Sequence, residues 1–404
     1  MDEAKKLLLH VLRDAIRGEN ANPSAIPMEM RWELYQLAME HHVLPLVTDA
    51  LHVESTDKRK KLGVEEQAKQ LVIAQAQHTA DFLLLLKDLE QHGLRPLVVK
   101  GIVCRNCYPE PELRPSVDED LLIRPEEYAA YRTALEAAGF QTDDTSDGEN
   151  YEVSFLHPGS HLCVEIHTCL FPAESEAYGD CARYFDGAMD RAVEREIEGM
   201  TLKTLAPTDH LLFLLCHAYK HFLHGGVGIR QLCDMALMAE KDGDRIDWPY
   251  IRSACDELHI AVFSAAMLRI CDKQLGFAMP EVFADIAVDE SDLLKDILSG
   301  GLYGVEDIDR AHSSTMTLEA VSAARSGRKR KGALHSVFLP LDAMRGHFPY
   351  LRRYPWLLSV AWAQRICRYL ARKSHPDPVS PARSLQIARE RIALLAEYKL
   401  IDQL

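Results

Sequence analysis

At 404 residues the chain exceeds one ordinary core, so two or three domains are expected. Hydrophobic content of 47% with 26% charge is that of a globular protein. A net charge of −15 excludes a general nucleic-acid binder, because polyanions are held by surplus Lys and Arg.

Residues 1–93 form an N-terminal helical region. "MDEAKKLLLHVLRDAIRG" has the apolar periodicity of an amphipathic helix, far too short to span a bilayer. "EEQAKQLVIAQAQHTADFLLLLKDLEQHG" is a long helix stopped by Gly93. The texture changes over residues 94–205. "RPLVVKG" is a short β-branched strand ending at Lys100-Gly101, "IVCRNCY" a helix and "DEDLLI" a strand. "PEEYAAYRTALEAAGF" is a helix opened by Pro125 at its first position. A polar turn, "DDTSDGEN", then leads into the strands "YEVSFLH" and "HLCVEIHTCL". Short strands alternating with helices predict an α+β core built on a small mixed β-sheet.

After "TLKTLAP" the chain turns helical, giving a C-terminal helical domain over 206–404. "TDHLLFLLCHAYKHFLHGG" takes Thr208 as its N-cap and ends on Gly225-Gly226, and "IRQLCDMALMAEKDG" and "DWPYIRSACDELH" follow as helices. The basic run Arg328–Lys331 reads as a solvated loop, and "YPWLLSVAWAQRICRYLARK" as a late helix. No stretch spans a membrane, so no membrane partner is expected. The ten cysteines, with no leader sequence, read as reduced thiols of a cytoplasmic protein. Cys104 and Cys107 have zinc spacing without a second pair, which favours a structural reading.

"LRPSVDEDLLIRP" raises the chemical question, because it places Asp118, Glu119 and Asp120 where a strand begins. Carboxylates resist burial unless paired or bound to a cation. Alternate side chains of a strand share a face, so Asp118 and Asp120 project together and Glu119 the other way. Two such acids can hold hard divalent cations, which prefer oxygen donors. In "HLCVEIH" the charged Glu165 stands among apolar neighbours, with Cys163 and His167 on its face, and is the candidate third carboxylate. Gly101 opens a helix after a strand, so its amide and the helix N-terminus are candidates to receive a phosphate.

"LVVKG", the run "YPEPELRPSVDEDLLIRPEEYAAYRTALEAAGF" and "VEIH" together resemble the uncharacterised nucleotidyltransferase family of the polymerase-β-like superfamily. "HLLFLLCHAYKHF" and "IRQLCDMAL" continue the likeness, and "YPWLL" with the following Trp and Arg extends it weakly, so that it spans about 90–370. Two departures stand out. Ile102 follows Gly101 where the superfamily has Ser or Gly, and Glu119 stands where an apolar residue is usual; the second is expected to be silent. The resemblance implies a nucleotidyltransferase core that binds Mg²⁺ (or Mn²⁺) through Asp118, Asp120 and Glu165. It further implies an NTP donor and an acceptor that the sequence does not identify. Lys100, Gly101, Arg114, Lys220 and His221 are the candidate nucleotide contacts.

Two other activities remain open from sequence: a catalytically idle nucleotide- or partner-binding regulator, and a phosphotransferase of kinase type. His217, His221 and His224 share a helical face, but one helix rarely offers three tetrahedral zinc ligands, and Lys220 opposes a cation. Arg230 and Asp234, four apart, read as an intrahelical ion pair.

Overall fold

The computed structural model describes residues 2–22, 26–52, 58–143, 150–301, 308–325, 350–372 and 381–401, together with 341, 344 and 348. The polar turn at 144–149 and the basic run Arg328–Lys331 lie outside them.

Helix α1 (Glu3–Ala15) starts where Asp2 accepts a hydrogen bond from the Lys5 amide at 2.9 Å, and it buries Leu8, Val11, Leu12 and Ala15 on one stripe. Helices α2 (Met28–Glu40), α3 (Leu44–Leu51) and α4 (Lys58–Gln91) complete the first helical layer. Gly93, at φ +77°, stops α4 as its position predicts.

The sheet has six strands: β1 (Leu97–Val99), β2 (Asp118–Leu122), β3 (Glu152–Leu156), β4 (Cys163–His167), β5 (Val193–Ile197) and β6 (Met200–Thr204). Their order is β3-β4-β2-β1-β6-β5, with β2 parallel to β4, β1 parallel to β6 and the other neighbours antiparallel. Central β1 is covered on both faces, which is why Leu-Val-Val is uninterrupted there. The β5–β6 hairpin has no counterpart in the sequence reading. Its turn is Glu198-Gly199, both at positive φ (50° and 73°), the geometry of a two-residue hairpin whose twist suits the strands.

Short α5 (Gly101–Arg105) follows β1, α6 (Tyr128–Ala137) follows β2 after a 3₁₀ turn opened by Pro125, and α7 (Ala182–Phe185) precedes β5. Helix α8 (Pro207–His224) begins one residue before the expected cap, on Pro207. Thr208 instead accepts from the Asp247 amide at 2.9 Å, tying α8 to the start of α10. Then come α9 (Ile229–Asp242), α10 (Trp248–Glu257), α11 (Ala261–Leu275), α12 (Ser291–Ser299) and α13 (Ile308–Arg325), with later helices at Tyr350–Arg353, Leu358–Arg372 and Pro381–Glu397.

One continuous apolar core runs from Leu8 in α1 through the sheet to Ile401, so both helical regions share it with the strands. A second, small cluster of Met344, Phe348, Leu351 and Ala361 stands apart. All ten cysteines are free thiols.

The connection into β2 is pinned on three sides. Arg114 bridges the Asp234 carboxylate of α9 at 2.9 and 2.5 Å, and Tyr108 donates to the same group at 2.8 Å. Arg230 donates to the Pro115 carbonyl. The Ser116 amide donates to Gln75 of α4 at 2.7 Å. Asp234 is held by the longer-range clamp from Arg114, which reaches both carboxylate oxygens, and the charge of Arg230 on the same helix adds to it.

Removing one partner of a buried pair strands the other charge, which costs about 3–5 kcal/mol. Asp234→Ala should therefore lower unfolding stability by about that amount, read from urea titration. A loss below about 1 kcal/mol would mean that Arg114 is not clamped there.

Candidate active site

Strand register builds the site. β2 and β4 run parallel with Asp118 opposite Cys163, Asp120 opposite Glu165 and Leu122 opposite His167. Asp118, Asp120, Glu165 and His167 consequently share one sheet face, while Glu119, Val164 and Ile166 occupy the other. Among the described residues, one donor atom each of Asp120, Glu165 and His167 lie within 4.8 Å of one another. Asp118 is on that face, two residues earlier, but outside this tight group.

The buried Asp120 carboxylate has a cation on each side. His167 Nε2 lies 2.9 Å from Oδ1, and Lys100 Nζ lies 3.0 Å from Oδ2. Burial works against the charge of Asp120, but Lys100 and the His167 hydrogen bond outweigh it and hold the carboxyl below its ordinary range. His167 is affected in the complementary way. Burial would make it neutral, but the hydrogen bonds to Asp120 and Glu165 raise its pKa to about 9, so it is an imidazolium at neutral pH. Asp118 has the opposite problem: burial, then repulsion from Asp120, raises its pKa. Crowded carboxylates of this kind are what a bound cation relieves.

Helix α8 closes the far side. Lys100 Nζ donates to His217 Nε2 at 3.2 Å, and His221 Nε2 approaches the same atom at 3.0 Å. The Lys100 amide donates to His210 at 3.3 Å. Burial, then the nearby Lys100 charge, keeps His217 and His221 neutral. Lys220 takes a different direction, pairing with Glu152 of β3 at 3.3 Å, and Glu152 in turn lies 3.9 Å from His167 Nδ1. Lys220, Glu152, His167, Asp120, Lys100, His217 and His221 thus form one polar chain across strands and helix. The zinc alternative for α8 finds no support, because the His217–His221 edge is already used against a lysine.

Three sequence expectations change. Arg114 does not face the site, since its buried guanidinium is taken by Asp234. Gly101 is not free to cradle a phosphate: Glu119 Oε2 accepts from the Ile102 amide at 2.8 Å, so a carboxylate already occupies the α5 N-terminus. Glu119 is accordingly not silent. It faces away from Asp118 and Asp120 as expected, but it is buried and pairs with Arg105 at 2.5 Å. His167, Glu152 and His217 were not assigned to the nucleotide or metal site from sequence. For His167 the signal was present, because "VEIH" sets it on the Glu165 face.

Asp120, Glu165 and His167 form the group whose atoms could hold a cation, and Asp118 adds a further carboxylate to the same face, a chemistry that suits a hard divalent ion.

A model of the family described as uncharacterised nucleotidyltransferase matches residues 29–276, more than half of the chain. The match begins earlier and ends earlier than the resemblance read from sequence, leaving "YPWLL" beyond it. No curated protein and no solved structure matches the chain.

Gly101, at φ +34°, would bring an added Cβ to 1.9 Å from Glu119 Oε2. Overpacking of this kind costs about 1–3 kcal/mol or more, so Gly101→Ala should unfold at a clearly lower urea midpoint. A wild-type midpoint would show that Glu119 does not sit against α5.

Proposed function

We propose, for a chain that belongs to the uncharacterised nucleotidyltransferase family, metal-dependent transfer of a nucleoside monophosphate from an NTP to an acceptor hydroxyl or phosphate, with release of pyrophosphate. Family membership supports nucleotidyl transfer in general. The observation that carries the finer reading is the β2–β4 register, which sets Asp120 directly across from Glu165 with Asp118 on the same face.

In this reading residues 94–205 are the catalytic core and α8 of the following helical region is the wall of the nucleotide site. Asp118, Asp120 and Glu165 hold the metal. A bound Mg²⁺ or Mn²⁺ supplies charge neutralisation and Lewis-acid polarisation at the α-phosphate. His167 keeps Asp120 ionised and oriented. Glu165 takes the acceptor's proton; that its side chain is 21% exposed against 3% for Asp120 supports this role. Lys100 is the phosphate-facing cation. It has a flexible stem and a point charge, and its hold on Asp120 becomes redundant once a metal neutralises that carboxylate. His221 of α8 supplies a further contact to the nucleotide, and Lys220 does so only by leaving Glu152.

Asp120→Asn keeps the shape of the side chain and removes its charge. Mg²⁺-dependent pyrophosphate release, assayed with each NTP, should be lost in this variant while thermal unfolding stays cooperative. Wild-type turnover in Asp120→Asn would displace the metal site. Nucleoside diphosphate as product would instead favour the kinase-type reading. Nucleotide binding without turnover would favour the regulator.

Lys100→Met separates the two jobs of the lysine. Without an ammonium beside Asp120, the nucleotide-free protein should bind Mn²⁺ more tightly, by about tenfold for each 1.4 kcal/mol of competition removed. The same variant should bind NTP more weakly, because a charge-assisted contact worth about 1.5–3 kcal/mol is gone. Calorimetric titration of Mn²⁺ and NTP reads both. Parallel weakening of the two would argue that Lys100 supports the metal site rather than competes with the ion.

A further inference from the structure

The helical segment 350–372 differs from the rest of the molecule in charge and in what it leaves uncovered. It holds five arginines (Arg352, Arg353, Arg365, Arg368, Arg372) and no Asp or Glu, in a chain whose net charge is −15. The apolar residues Leu351 and Ala361 are buried in the small separate cluster with Met344 and Phe348 rather than in the main core. What remains outside is large and apolar: Trp356 is 75% exposed, with Tyr354 at 41% and Val360 at 43%. Leu357 and Leu358, between them, are only half-buried. Tyr354 and Trp356 meet edge to face at 6.2 Å, and the Arg353 guanidinium lies over the Tyr354 ring at 5.7 Å. The outcome is an aromatic and aliphatic apex with a cation at its rim.

We propose that segment 350–372 is a peripheral docking surface for an anionic phospholipid bilayer, with Trp356 as its inserted anchor. Indole and phenol rings settle at the headgroup boundary, where their apolar bodies leave water and their polar edges keep hydrogen bonds. Val360, Leu357 and Leu358 gain by the same move, while the exposed Arg353 meets lipid phosphates. The aliphatic members and the chain's net charge of −15 favour a bilayer over a nucleic acid, whose bases stack on rings but bury little of Leu357, Leu358 and Val360. The surface lies on the bilayer and does not cross it: among the described residues no helix is long and apolar enough to span a membrane.

The test uses the full chain with vesicles of phosphatidylcholine alone, or with phosphatidylserine admixed, read by co-sedimentation. Binding is expected to the phosphatidylserine vesicles, to fall with added salt, and to be much weaker on phosphatidylcholine. Trp356→Ser should reduce it by about tenfold or more, because the apolar area of the indole no longer leaves water. Arg353→Glu should reduce it too, and neither variant should alter thermal unfolding. No binding to either vesicle, or equal binding by Trp356→Ser, overturns the proposal. So does transfer of the Trp356 dependence to RNA retention or to concentration-dependent dimerisation.

Discussion

Asp120 is almost without solvent and remains ionised because two cations hold it, Lys100 on one oxygen and His167 on the other. Much of the architecture around the sheet supplies those two groups. His167 reaches Asp120 because β4 runs parallel to β2 in a register that places it two residues beyond Glu165. Lys100 reaches it from the end of β1 because its own backbone adopts φ +53°, a conformation that side-chain-bearing residues rarely take. Helix α8 then secures Lys100 with His217 at its ammonium and His210 at its amide. A charge that would otherwise be expelled is thus the point where strands and C-terminal helices meet.

The acid between the two aspartates serves the opposite face by the same alternation. Glu119 takes the Ile102 amide and the Arg105 guanidinium, and so fixes α5 against the back of β2. Gly101 is required because Glu119 fills the space a side chain would take. Three consecutive acids therefore divide by face: Asp118 and Asp120 toward Glu165, Glu119 toward the helix that follows Lys100. The run looks like excess charge in sequence. In the fold each acid has a counter-cation or a neighbouring cluster that explains it.

The strand alternation of "DEDLLI" and the solitary acid of "VEIH" made the shared face of Asp118, Asp120 and Glu165 legible, since period two is a local property of a chain. The α+β class was legible for the same reason. Partners far away in sequence were not. Arg114 was read toward phosphate because its carboxylate, Asp234, lies 120 residues away on another helix. The α5 amide was read as vacant because nothing local says that Glu119 folds back to it. The β5–β6 hairpin was missed although "VEREI" and "MTLKT" alternate around Glu-Gly, because Glu is an uncommon residue for a turn that needs positive φ.

The same network gives the carboxylate group two unlike sides. Asp120 carries Lys100 on one oxygen and His167 on the other, with His217 and His221 of α8 beyond the lysine. Glu165 and Asp118 are only partly buried and form the open edge of the carboxylate group. Under the proposed function a triphosphate would meet Asp118 and Glu165 before Asp120. Crowding raises the pKa of Asp118 in the free protein, and an arriving cation relieves that crowding. In that reading Lys100, on its flexible stem, is the cation beside Asp120 that would leave it and follow the phosphates. His167, set by strand register, stays to keep the aspartate aimed. On this view the lysine and the histidine are not interchangeable counter-ions: one is the movable charge and the other the fixed support.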